Sequence, residues 1–89
     1  MQQKNLPRHK QKEQKENVYQ IILFNDDYNT FDHVIDVLMN YCEHSEEQAE
    51  QCAWLTHLHG KCSVKEGSYD QLRPIAMALL DEGLSVEII

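Results

Sequence analysis

The sequence predicts an α+β fold: a two-layer sandwich in which a small three-stranded antiparallel sheet packs against three helices, in the order β-α-α-β-α-β. Three observations carry this. β-Branched and aromatic runs open and close the region from residue 18 onward. Three stretches with apolar residues at helical spacing lie between them, set off by capping and turn residues. The region is short enough to hold only one thin core, which two layers suffice to enclose.

Val18 to Phe24 (VYQIILF) reads as a buried strand that stops at Asn25-Asp26-Asp27, with a turn over Asn25 to Asn29. Asn29 is a good N-cap, and Asp32, three positions on, favours a helix N-terminus. Phe31, Val34, Ile35, Leu38, Met39 and Cys42 recur at helical spacing, which predicts the first helix over 30–42. Ser45 followed by Gln48 is a capping-box pattern. Ala49, Cys52, Ala53, Leu55 and Thr56 carry a second helix to about His59, and Gly60 ends it. Lys61 to Lys65 alternates as a short strand, and Glu66-Gly67-Ser68 turns. A third helix is predicted from about Gln71 to Asp81, with Pro74 in its first turn, where no intrahelical donor is lost. Gly83 stops it, and Leu84 to Ile89 alternates as the last strand. There is no internal repeat.

The chain has 89 residues, 8 basic and 15 acidic, for a formal net charge of −7. The charges are unevenly placed. Residues 1–17 hold five basic and two acidic residues, and residues 18–89 hold three basic and thirteen acidic. The first segment has almost nothing that could pack, so it reads as a disordered basic tail ahead of an 18–89 domain. A domain this acidic repels phosphate, which argues against nucleic acid as a partner. No apolar run approaches the roughly 18 residues of a membrane span, and no signal-peptide core opens the chain. Cys42, Cys52 and Cys62 are odd in number and contain no CxxC, which fits a reducing cytoplasm.

Two constellations carry chemistry. Asn25-Asp26-Asp27 follows a buried strand, where rigid elements can hold a functional loop. It reads either as a solvated turn with local Asx bonding or as a small acidic clamp for a cation, since carboxylates accept strong charge-assisted bonds from an ammonium. His57-Leu58-His59-Gly60 is the second. Residues i and i+2 point to different helix faces, so one histidine is expected to face inward. A zinc site assembled from His33, His44, His57, His59 and the cysteines matches no familiar spacing, and no metal or cofactor is expected. No GxSxG, HExxH, P-loop or dinucleotide glycine pattern is present, so an enzyme is not expected. Phe31, Val34, Ala53 and Thr56 come from facing sides of two helices and read as core, or as the wall of an apolar pocket beside the acidic clamp. Trp54 reads as core or interface packing.

The run Ile22 to Leu38, with Asn25-Asp26-Asp27, an aromatic and an amphipathic helix, resembles the strand-turn-helix of the ClpS adaptors. His57-x-x-Gly60-Lys61 resembles their HxxGK signature, at a matching interval. The resemblance covers roughly residues 18–89. It implies a cytoplasmic, monomeric, non-enzymatic adaptor. Such a protein binds substrates whose first residue is large and hydrophobic (N-degrons) and hands them to the N-terminal domain of a Clp-type AAA+ unfoldase and its protease. It further implies that Asn25, Asp27 and His57 bind the substrate's α-ammonium, with Asp26 adding negative potential. The first side chain would enter a pocket mapping onto Leu23, Asn29, Phe31, Val34, Ala53, Thr56 and Val86. The family's pocket usually carries Met at the positions of Phe31 and Ala53 and Val at that of Thr56, which here brings a hydroxyl to the wall. Ala53 then relaxes the exclusion of β-branched first residues, or Phe31 fills the vacated space and narrows the preference. Glu66, Asp70 and Arg73 are the candidates for docking on the unfoldase, and the basic tail matches the family's N-terminal extension. The alternative is an interaction domain of the same architecture, like the C-terminal domain of the ribosomal stalk protein, which would leave the acidic loop and His57 without a shared ligand.

Overall fold

The computed structural model describes residues 18–89; the 1–17 tail lies outside the described residues. Its elements are β1 (Tyr19–Phe24), α1 (Phe31–Cys42), α2 (Glu46–His59), β2 (Lys61–Gly67), α3 (Tyr69–Asp81) and β3 (Ser85–Ile88). The order is the one expected. The sheet is antiparallel with β1 in the middle, in the order β2-β1-β3. As the central strand, β1 is paired along both edges, and its apolar run has Ile21, Ile22 and Leu23 all buried. Leu23 pairs with Cys62 of β2 and Val86 of β3, and the register with β2 shifts at Ile21/Ile22. Ile21 and Leu23 pack with Val37, Leu38, Ala49, Val64, Leu72 and Leu79 in one core.

Four details depart from the sequence reading, each for a local reason. Thr30, not Asn29, caps α1, accepting from the His33 N–H at 3.1 Å. The Asn29 side chain is committed elsewhere, as described below. Ser45 caps α2 as expected, accepting from the Gln48 N–H. The full reciprocal box, however, belongs to α3. There Ser68 Oγ accepts from the Gln71 N–H at 3.1 Å, and Gln71 Oε1 accepts from the Ser68 N–H at 3.0 Å. This box starts α3 at Tyr69, two residues early, so Pro74 lies in the helix interior rather than in its first turn. The helix tolerates the lost donor because Leu72, Ala76 and Leu79 anchor it to the core. β2 runs on to Gly67, where a Cβ would lie 2.7 Å from Gln71 Oε1.

The three cysteines are free thiols. Burial pushes Cys42 up to about 11 and Cys52 up to about 12, so both remain protonated at neutral pH. Beyond the third helix, the turn at Glu82-Gly83 is tied back to the first half of the chain. His33 Nε2 lies 2.8 Å from the Glu82 carbonyl, and Tyr41 donates to the Glu82 carboxylate at 2.9 Å.

Candidate functional site

Two loops meet at the end of the sheet. The backbone N–H of Asn25, just past β1, donates to the carbonyl of Gly60 at 3.0 Å. Gly60 closes α2 in the left-handed region (φ 92°), a conformation glycine adopts without strain. This bond joins the two polar motifs that the sequence separates by thirty residues. It sets Asn25 beside the last turn of α2, which carries His57 and His59.

A cavity opens at this junction. It encloses about 30 Å³ and is lined by Leu23, Phe24, Asn25, Asp26, Asn29, Phe31, Val34, Ala53, Thr56 and His57. The apolar part comes from β1, α1 and α2, and the polar part from the loop after β1 and from His57. The electrostatics favour a cation at the mouth. The loop contributes carboxylates, and the C-terminal end of α2 contributes the negative pole of its dipole.

Within the loop, the two aspartates differ. Asp26 is a structural hub. Its Oδ1 accepts from the N–H of Tyr28 at 2.8 Å and of Asn29 at 2.9 Å, and its Oδ2 accepts from Asn29 Nδ2 at 2.8 Å. Burial alone would raise its pKa. The donors from Asn29, Tyr28 and the Ser85 hydroxyl outweigh it and hold the carboxyl below the ordinary value of 3.8. Asn29 Nδ2 also donates to the Gly83 carbonyl at 2.9 Å, so both amide hydrogens are used in pinning the loop to the α3–β3 turn. Asp27 is exposed and does not line the cavity.

Other expected residues fall differently. Val86 is not in the cavity. It lines a separate groove of about 370 Å³ with Tyr69, Arg73, Ala76, Met77 and Leu80, because α3 rather than α1 or α2 covers β3. Thr56 does line the cavity, but its hydroxyl donates back to the Cys52 carbonyl at 2.8 Å, so its polarity is absorbed by its own helix. Neither His57 nor His59 faces the core; both are exposed, and His57 reaches the cavity from its rim. Glu66, Asp70 and Arg73 are exposed, on β2 and the first half of α3. Among the described residues, no group of three or more His, Cys, Asp or Glu could hold a metal ion.

The sequence reading missed Phe24 and read Trp54 only as packing. Phe24 lines the cavity as the last residue of β1. Trp54, half exposed, packs edge-to-face on Phe31 with ring centroids 4.8 Å apart, and lies 6.1 Å from His57. The signal was available, since Trp54 and His57 are i and i+3 on one helix face.

Residues 14–87 match the family model of the ATP-dependent Clp protease adaptor protein ClpS. Curated relatives carry the same description. The adapter of Pectobacterium carotovorum is 40% identical over 67 residues, covering 71% of this chain and 63% of that protein. That of Bartonella quintana is 38% identical over 61 residues, covering 66% and 56%. The chain thus spans about three fifths of the length of these relatives. The structure of Agrobacterium tumefaciens ClpS2 bound to L-phenylalaninamide has the same fold. It aligns with a TM-score of 0.70 at 22% identity, covering 82% of this chain and 95% of that one. No helix among the described residues is long and apolar enough to cross a membrane.

Proposed function

The chain belongs to the ClpS family of ATP-dependent Clp protease adaptors, and from that premise we propose that it binds proteins by a free, large hydrophobic first residue. It then delivers them to a Clp-type AAA+ unfoldase and its protease. It turns over no substrate itself, acts as a monomer in the cytoplasm and needs no cofactor. One observation carries the reading: the Asn25–Gly60 hydrogen bond sets an acidic loop and His57 at the mouth of a cavity with apolar walls.

In this reading Asn25, Asp27 and His57 hold the α-ammonium, with His57 accepting through a neutral ring nitrogen. Asp26 adds negative potential while its own bonds keep the loop in shape. The first side chain lies against Leu23, Phe31, Val34, Ala53 and the methyl side of Thr56. Burying one large apolar side chain contributes about 1.5–3 kcal/mol, and each hydrogen bond to a charged group contributes about 1.5–3. After association costs, these sum to a micromolar site, about −8 kcal/mol. Acetylation removes the charge and two donors and leaves the acceptors unpaired, so recognition is restricted to free N-termini. Glu66, Asp70 and Arg73 lie away from the cavity and are proposed to meet the unfoldase's N-terminal domain. The phenylalaninamide held by the Agrobacterium relative, an amino-acid amide with a free amine and a large apolar side chain, supports the same assignment.

The test is anisotropy titration of a labelled peptide beginning with Phe beside its N-acetylated twin. Binding of the free form alone is expected. Equal binding of both, or of neither, would show that the site does not read a free N-terminus.

A further inference from the structure

The cavity is smaller than the side chain it is proposed to take. It encloses about 30 Å³, whereas an apolar cavity that admits a benzene ring is about 150 Å³. The cause is visible in its walls. The ring of Phe31, the first residue of α1, lies 4.8 Å from Trp54 and 5.5 Å from His57, at interplanar angles of 72° and 73°. Both are edge-to-face contacts, the geometry that aromatic pairs favour. Leu23, Ala53 and Thr56 are each at least nine-tenths buried and are held in the packed core or in the α2 backbone. Val34 is β-branched and stiff about χ1. Phe31 is only half-buried, and its neighbour Trp54 is 49% exposed. Of the apolar walls that the helices supply, Phe31 is therefore the one with somewhere to go; Phe24, also partly buried, sits at the end of β1, paired with Lys61 and Ser85.

Resting on the reading of this site as a first-residue pocket, we propose that Phe31 determines its specificity: held by Trp54 and His57, the ring closes the cavity and must turn out before a first side chain enters, so the pocket takes leucine ahead of phenylalanine and tryptophan. Turning the ring fully out gives up both edge-to-face contacts, a factor of roughly ten to a hundred in affinity. That factor applies in full to a side chain as large as indole. An isobutyl group displaces the ring less and loses less. A site whose open form is a small fraction of the population binds more weakly by that fraction.

The experiment uses three labelled peptides that begin with Leu, Phe or Trp and are otherwise identical, with their N-acetylated twins. Each is titrated against the full chain as wild type, Phe31→Ala and Phe31→Met, with folding checked by circular dichroism. The wild type is expected to bind the Leu peptide about tenfold more tightly than the Trp peptide. Phe31→Ala is expected to tighten the Trp peptide and so to lower the Leu-to-Trp affinity ratio by about tenfold. Phe31→Met keeps apolar bulk on a flexible stem and is expected to give an intermediate ratio; it carries the test if the alanine variant does not fold. A Leu-to-Trp ratio near one in the wild type overturns the proposal, as does a ratio unchanged in both variants. Uniform weakening by the substitutions overturns it too, since that marks Phe31 as a passive wall or as a support for His57 alone. If no free-amino peptide binds any of the three folded proteins, the first-residue reading itself fails and the proposal falls with it.

Discussion

Replacing Asp26 with alanine tests whether this carboxylate builds the loop or contacts the ligand. Within the loop its two oxygens accept three hydrogen bonds, from Tyr28 N, Asn29 N and Asn29 Nδ2, at 2.8, 2.9 and 2.8 Å. A typical intramolecular hydrogen bond contributes about 1 kcal/mol net, and the loop is partly solvated, so each is taken at about 0.6 kcal/mol. Asp26→Ala should then cost about 2 kcal/mol, which in a domain of this size lowers Tm by roughly 8–15 °C. The pH dependence has a definite sign. The folded-state pKa lies below the ordinary carboxylate value. The stabilisation is therefore present in full above the unfolded pKa of about 3.9 and is lost as pH falls through the folded value. Thermal melts of the two proteins should differ by the full amount at pH 7 and converge on acidification below about pH 4. A difference under about 0.5 kcal/mol at pH 7, or one that widens on acidification, would refute the assignment of Asp26 as the loop's hub.

The exposed neighbour should behave in the opposite way. Asp27→Asn is expected to leave stability within about 0.5 kcal/mol while weakening a free-amino peptide about tenfold; unchanged affinity would remove Asp27 from the site. Thr56→Val deletes a hydroxyl already satisfied by the Cys52 carbonyl. It should change both stability and peptide affinity by under about 1 kcal/mol, and a larger affinity change would mean that the hydroxyl contacts the ligand. Gly60→Ala meets nothing within 4 Å, so its cost is backbone strain at φ 92° alone; chemical denaturation should report about 1 kcal/mol, and no loss would contradict the left-handed cap. Leu79→Ala empties a site with 0% exposure; a loss of about 2–5 kcal/mol is expected, enough to unfold much of so small a domain at 37 °C, and a calorimetric Tm near wild type would contradict the core described.

The helix starts show where local reading works and where it stops. Ser45 was legible because a cap acts within three residues of itself. Ser68 and Gln71 form the same pattern, and only the expectation that Pro74 needs a first turn masked it. The capping box and the buried Leu72, Ala76 and Leu79 outweigh one missing donor. Asn29 could not have been assigned this way. Its preference for capping is ordinary, but its amide is engaged by Asp26 and by the carbonyl of Gly83, 54 residues away. The acidic loop and the HxxGK motif were both visible as motifs. Their meeting depends on the hydrogen bond from Asn25 to Gly60.

What the sequence by itself determined is therefore what acts over a few residues: apolar periodicity, caps, the closing glycine of α2, and the residue types of the two polar motifs. What only the tertiary structure decided is which surfaces share a neighbour. It put β1 between β2 and β3, gave Val86 to the groove under α3, left Asp27 outside the cavity lining, and stood Phe31 against both Trp54 and His57. The physical reason is the range of the forces. Capping and periodicity are satisfied within a turn or a strand, whereas the pairing of apolar faces is a choice among all the faces the chain presents.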